Sequence, residues 1–341
     1  MAVNWELVAE IGRETEVYDS EYIDNNRYFR EMSSIIQWNA QDTKVTWEHK
    51  FSDDKMMGGK NLLGNHQGIF TYEEHKKNAK HSTFYWFTPD GEIKWKITLP
   101  FSPYEKAVFM LNGTSIWMYG VLHSEECWAA LELEIDSGEV ITLKQNKALT
   151  QDAALLDEEI FLGGRDGFYY TNRNHSFELQ LLTKGFVVAV FKNAEKIYCI
   201  IAVTKGQYKL ITCGDDKNCI TLVDFSASRN HLSPVVTSDQ KFLLIAPNQK
   251  EGIQKINIAT SEVVWQTGKG VWTCNHMHEI GDLIIAKVEE GDDDLILTID
   301  KNTGKVLGKI ESQEFPSSVF PAEANHVIIS GMDGAQLVKV S

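Results

Sequence analysis

Asn257-Ile258-Ala259-Thr260-Ser261-Glu262-Val263-Val264-Trp265 joins a polar turn to two apolar residues and a tryptophan, and the same order returns along the chain. Thr88-Pro89-Asp90-Gly91 stands ahead of Ile93-Lys94-Trp95, Asn39-Ala40-Gln41-Asp42-Thr43 stands ahead of Val45-Thr46-Trp47, and Val3-Asn4-Trp5 carries the tail of the pattern alone. Two segments keep the turn and lose the ring: Glu134-Ile135-Asp136-Ser137-Gly138 before Thr142, and Asp300-Lys301-Asn302-Thr303-Gly304 before Gly308. Weaker matches place Leu179 and Leu222 at the same point of the period. Taking positions 5, 47, 95, 142, 179, 222, 265 and 308 as equivalent gives steps of 37 to 48 residues, and the step from 308 through the termini to 5 is of the same size. A period in this range marks a repeat architecture.

Between these positions lies a second shared element. Ile160-Phe161-Leu162-Gly163-Gly164-Arg165-Asp166-Gly167 matches Val327-Ile328-Ile329-Ser330-Gly331-Met332-Asp333-Gly334, an apolar strand running into a Gly-x-Asp-Gly turn. A third precedes it, Ser233 to Asp239 before Phe242-Leu243-Leu244 and Val319 to Ala322 before Val327. Each period thus reads as four short antiparallel strands, the unit of a β-propeller. One such sheet has two apolar faces and buries both only against neighbours. The expected fold is all-β: one domain over 1–341, a closed propeller of eight four-stranded blades, or seven if the short period between 142 and 179 collapses. Gln336 to Val340 alternates as a strand with no outer strand after it, so the N-terminal Val3 to Val8 is expected to complete the last blade.

The turn-then-Trp element together with the Gly-x-Asp-Gly element resembles the repeat of quinoprotein-like propellers, the pyrroloquinoline-quinone repeat superfamily, and the resemblance spans the chain. Its shared residues are structural. Quinone-dependent dehydrogenases of that superfamily are exported and carry a vicinal cysteine pair over the cofactor, whereas this chain has no adjacent cysteines and no export signal in its first ten residues. The resemblance therefore implies the architecture without the cofactor, and no cofactor is expected.

Hydrophobic residues make up 43% of the 341, enough for a large core, and the net charge of −15 speaks against nucleic acid and anionic membrane as partners. The longest apolar run, 186–191, is far short of the ~20 residues that span a bilayer. Five scattered cysteines without a CxxC pair read as reduced thiols, and the expected location is cytoplasmic.

No motif for a hydrolase nucleophile, a zinc protease or a phosphate-binding loop is present. On an extended strand Cys274, His276 and His278 would share a face, a weak set of metal ligands against the alternative of packed histidines. The loops joining second and third strands collect acidic residues: Glu73 and Glu74, Glu125 and Glu126, and the stretch Glu289, Glu290, Asp292, Asp293 and Asp294. Two of these loops, near 73–82 and 289–294, read as longer than tight turns, and extra loop length tends to carry recognition. The expected function is a non-catalytic binding module whose acidic loop face docks a basic protein, a toxin-neutralising immunity protein being one concrete version. The alternative is a hydrolase or lyase acting on a small or sugar substrate at the axial opening.

Overall fold

The computed structural model describes residues 4–11, 17–24, 26–31, 33–39, 44–51, 55–56, 61–75, 80–193, 195–214, 216–227, 233–248, 251–270, 272–290, 293–310, 318–322, 325–331 and 334–340. Apart from one 3-10 turn, Arg173–His175, the regular structure among them is strand. The strands form eight antiparallel sheets of four positions each, seven of them hydrogen-bonded in sequence order and one joining both ends of the chain. The chain packs as two compact units, residues 17–190 and residues 1–16 with 191–341.

The unit 17–190 begins with a sheet of Val17–Ile23, Asn26–Glu31, Ser34–Asn39 and Lys44–Lys50. In the second sheet Lys55–Met56 and Leu63–Asn65 share the first position against Gly68–His75, followed by Ser82–Phe87 and Ile93–Leu99. Phe101–Leu111 to Val140–Asn146 make the third and Thr150–Leu156 to Gln180–Lys184 the fourth. Middle strands are covered on both faces, so Ser82–Phe87 is buried at every residue, while the fourth strand Ile93–Leu99 is largely exposed and buries chiefly Trp95. Successive sheets interlock through mixed clusters such as Phe70, Phe84 and Trp95 with Met118, Leu131 and Leu133.

In the other unit the fifth sheet carries Phe186–Asn193, which starts before the unit boundary, then Lys196–Thr204, Gln207–Cys213 and Cys219–Ser226. Val235–Val236 to Val263–Thr267 form the sixth sheet and Trp272–Ile280 to Val306–Ile310 the seventh. The eighth joins both ends of the chain: Ser318–Pro321, His326–Gly331 and Gly334–Val340 are completed by Trp5–Ile11, with Trp5 opposite Val340 and Ile11 opposite Ala335. The N-terminus supplies the closing strand as expected, over Trp5–Ile11 rather than the expected 3–8.

The tryptophans reach the next sheet's turn. Trp47 Nε1 donates to Pro89 O at 3.0 Å, Trp95 Nε1 to Ile135 O at 2.6 Å and Trp265 Nε1 to Lys301 O at 3.0 Å. Each ring lies over the glycine of that turn: a Cβ on Gly138 would stand 2.7 Å from the Trp95 ring and one on Gly304 2.7 Å from the Trp265 ring. These glycines also hold φ of +75° and +73°, so the same residue type is required twice over. Just before each ring the strand bulges. Val45 faces Trp38 and Trp47 faces Gln37, with Thr46 unpaired between them.

The bulge corrects three alignments: in the eighth sheet it falls at Val8, so Ala9 and not Trp5 holds the position of the tryptophans. The residue after the bulge is Thr183 in the fourth sheet and Val223 in the fifth, so Leu179, which precedes Gln180–Lys184, and Leu222 are not the equivalents of the tryptophans. The cysteines need a correction too. The hairpin sets Cys213 opposite Cys219 and the two form a disulfide, leaving Cys127, Cys199 and Cys274 as thiols, whereas all five were expected reduced.

A second recurring device had no signature in the sequence. Asp19 Oδ1 accepts from Ser20 N at 2.9 Å and Oδ2 from Leu62 N of the following sheet at 2.8 Å. Asp152 repeats this with Ala153 N at 3.0 Å and Val190 N at 2.8 Å. Both follow a bulge in a first strand. Burial pushes the Asp19 carboxyl up to about 7 against its two backbone donors, and raises Asp152 against the pull of Lys106.

Candidate binding site

In the unit formed by 1–16 and 191–341, the ends of four first strands enclose a cavity of about 540 Å³. The fifth sheet gives Phe191, Lys192 and Asn193, the sixth Val235, Val236 and Ser238, the seventh Met277, His278 and Glu279, and the eighth Pro321. These strands end here because their turns begin: Ala322 N closes on His326 O, and Thr237 N on Phe242 O. The volume is that of a small-molecule or side-chain pocket.

Its polar groups are held by cross-sheet hydrogen bonds. Glu279 accepts from Ser238 N at 2.7 Å, from Ser238 Oγ at 2.9 Å and from Lys301 Nζ at 2.7 Å, which balances its charge inside the fold. Asn193 Nδ2 donates to Val236 O at 2.8 Å and Thr237 O at 3.0 Å. His278 Nε2 lies 3.0 Å from Val319 O. Burial lowers the His278 imidazole below its ordinary value, only partly offset by that carbonyl, so the ring is neutral at physiological pH.

The acidic residues are not all exposed. Glu73 is 1% exposed and accepts from Tyr85 Oη at 2.6 Å. It lies in Gly68–His75, whose ladder runs on through Glu73 opposite Thr83 and Glu74 opposite Ser82. Glu74 is half-buried, its carboxyl raised by burial and by Glu105. Glu125 and Glu126 are exposed on their turn, as expected. The 289–294 stretch is not a long loop: Glu289 pairs with Asp294 and Glu290 with Asp293 at the end of a continuous ladder. Lys287, its side chain 7% exposed, reaches Asp294 at 2.7 Å and Glu289 at 3.7 Å, so part of the acidity is neutralised from within. Asp293 is exposed; Asp292 lies outside the described residues. Leu283–Glu290 has the cavity at one end, beside Gly281, and these carboxylates at the other.

The suggested metal ligands are separated. A bulge after Cys274 breaks the alternation, with Cys274 opposite Val288 and His276 opposite Lys287. Cys274 packs among Ile284, Ala286 and Leu295 with its thiol pushed up to about 12 by burial, while His276 is exposed and His278 turns to Val319 O. Among the described residues no three His, Cys, Asp or Glu side chains come together as metal ligands. No described helix is long and apolar enough to cross a membrane.

No protein-family profile and no curated protein matches the sequence. Solved structures do. BamB from Moraxella catarrhalis is 14% identical with a TM-score of 0.69 over 98% of this chain and 97% of its own. Sqt1 from Saccharomyces cerevisiae is 11% identical at 0.67 over 100% of both, and the computationally designed Ika8 protein is 11% identical at 0.68 over 99% of this chain and 100% of its own. The chain is an eight-bladed β-propeller. At these identities the likeness extends to the fold and no further.

Proposed function

We propose that this propeller is a non-catalytic binding protein of the quinoprotein-like repeat class, docking a basic protein partner. The observation that carries the reading is the state of the cavity: Asn193, Glu279 and His278 are each engaged in a hydrogen bond that ties neighbouring blades, which makes it a preformed recess with fixed walls rather than an array of free acids and bases. The net charge of −15 and the exposed Glu125, Glu126 and Asp293 support a basic partner, steered in by charge. A toxin-neutralising immunity protein is the concrete form of this proposal. A cytoplasmic home belongs to it only if Cys213 and Cys219 are kept reduced there, because disulfides persist mainly in oxidising compartments.

The second reading, a hydrolase or lyase, has one observation in its favour, the presence of His278 and Glu279 in the same cavity. Capture from the native host separates the two. The binding proposal expects a basic partner whose association slows as salt rises, and slows further in a Glu125→Lys/Glu126→Lys/Asp293→Lys chain. Equal association rates and equal salt slopes for both chains would refute the charge-steered reading.

A further inference from the structure

The cavity has an unequal hydrogen-bonding capacity, and that asymmetry selects a ligand. Both amide hydrogens of Asn193 are engaged, by Val236 O and Thr237 O, which leaves Oδ1 as an acceptor. Val319 O can only accept, so His278 Nε2 must carry the ring proton, and in the neutral ring Nδ1 is then a lone-pair acceptor. Glu279 has its charge matched by Lys301 before any ligand arrives, and Lys192, exposed in the lining, opposes a second cation. Apart from Ser238, whose hydroxyl proton goes to Glu279, the other lining side chains are apolar, among them Phe191, Val235, Val236 and the polarisable Met277. A guanidinium would meet Lys192, a carboxylate would find the exposed Lys192 but also two acceptors that repel it, and an aliphatic side chain would leave two acceptors without donors.

We propose that this cavity receives a tryptophan side chain of the partner, its indole ring against Phe191, Val236 and Met277 and its N–H given to the acceptor pair Asn193 Oδ1 and His278 Nδ1. This rests on the binding reading above and names what that partner inserts. Tryptophan is among the residues that most often anchor interfaces by filling a pocket, because it brings a large apolar area with one donor at its edge.

Indole itself is the probe, titrated calorimetrically into the intact chain, with 1-methylindole as the control that keeps the ring and removes the donor. The expected result is saturable binding of indole and at least tenfold weaker binding of 1-methylindole. His278→Phe removes one acceptor and should weaken indole severalfold while leaving 1-methylindole unchanged; Met277→Trp fills the cavity and should abolish both. Circular dichroism of the variants separates a lost site from a lost fold. Equal affinity for the two probes, tighter binding of argininamide than of indole, or no indole binding at millimolar concentration would each overturn the proposal. Because the titration uses the chain alone, it fails independently of the capture experiment that tests the protein partner.

Discussion

Trp95→Ala combined with Gly138→Ala tests how the blades are joined. Trp95 is 8% exposed, donates to Ile135 O at 2.6 Å and packs near Phe70 with ring centroids 6.4 Å apart. Truncating a ring this buried is expected to destabilise by about 3–5 kcal/mol. Gly138→Ala alone has two effects: a positive φ that costs about 1–2 kcal/mol for an L-residue, and a Cβ 2.7 Å from the ring that must displace it, about 1–3 kcal/mol more. Once Trp95 is alanine the second effect vanishes and the first remains. The double variant should therefore be more stable than the sum of the singles predicts, by about 1–3 kcal/mol of coupling. Urea unfolding followed by far-ultraviolet circular dichroism reads all four chains without relying on tryptophan fluorescence. Strict additivity would show that ring and glycine do not touch, and would refute the docking account of the repeat.

Asp294→Asn should destabilise the chain by about 1–2 kcal/mol, because it removes the 2.7 Å partner of the buried Lys287, whereas Asp293→Asn should leave the unfolding midpoint unchanged. The raised Asp19 carboxyl gives a pH signature: it stays protonated in the fold up to about pH 7 while the unfolded chain ionises near pH ~4, so its contribution is fully present below pH ~4 and is lost as pH rises through 7. Stability measured across that window should fall less steeply in Asp19→Asn, and an unchanged slope would remove Asp19 as the cause. Deleting residues 1–11 strips Trp5–Ile11 from Gly334–Val340 and should produce a less stable, aggregation-prone chain by light scattering. Alkylation under denaturing, non-reducing conditions should label three cysteines, rising to five after reduction.

The architecture was legible because its markers are local: a turn, a bulge and a ring recur within nine residues. Thr183 and Val223 were misplaced because nothing bulky marks them, and only the register of the ladder shows where the bulge falls. Glu73 and Glu289 read as loop in the sequence because charge usually means solvent, yet a ladder does not stop at the first polar residue; the Tyr85 hydroxyl donates to Glu73 and the buried Lys287 pairs with Glu289. Cys274 and His278 were paired by counting in twos, which a bulge at 275 undoes. The cavity was invisible for a different reason. Its walls are four strand ends about forty residues apart, and their juxtaposition exists only once the blades have packed.

The repeat also explains its own exceptions. Where a fourth strand carries Trp47, Trp95 or Trp265, the left-handed position of the next turn is glycine: Gly91, Gly138 and Gly304. Where that strand has Thr142, Thr183 or Val223 instead, the position holds Ser176, Lys217 or Ser261, each at positive φ. The space is filled otherwise in some of these places: Phe177 packs against Trp117 in the fourth blade's turn region, and the fifth blade's hairpin is closed by Cys213–Cys219. Trp5 stands outside the rule because the bulge at Val8 follows it; its Nε1 is buried without a hydrogen bond and lies 3.3 Å from where Gly308 would carry a Cβ. Ring and glycine are thus kept or lost together, since a lone ring would strike a Cβ and a lone glycine would only loosen the turn. A blade junction can exchange that pair for another filling without changing the strand ladder, because the ladder is made by the backbone and the pair only fills the space between neighbouring sheets.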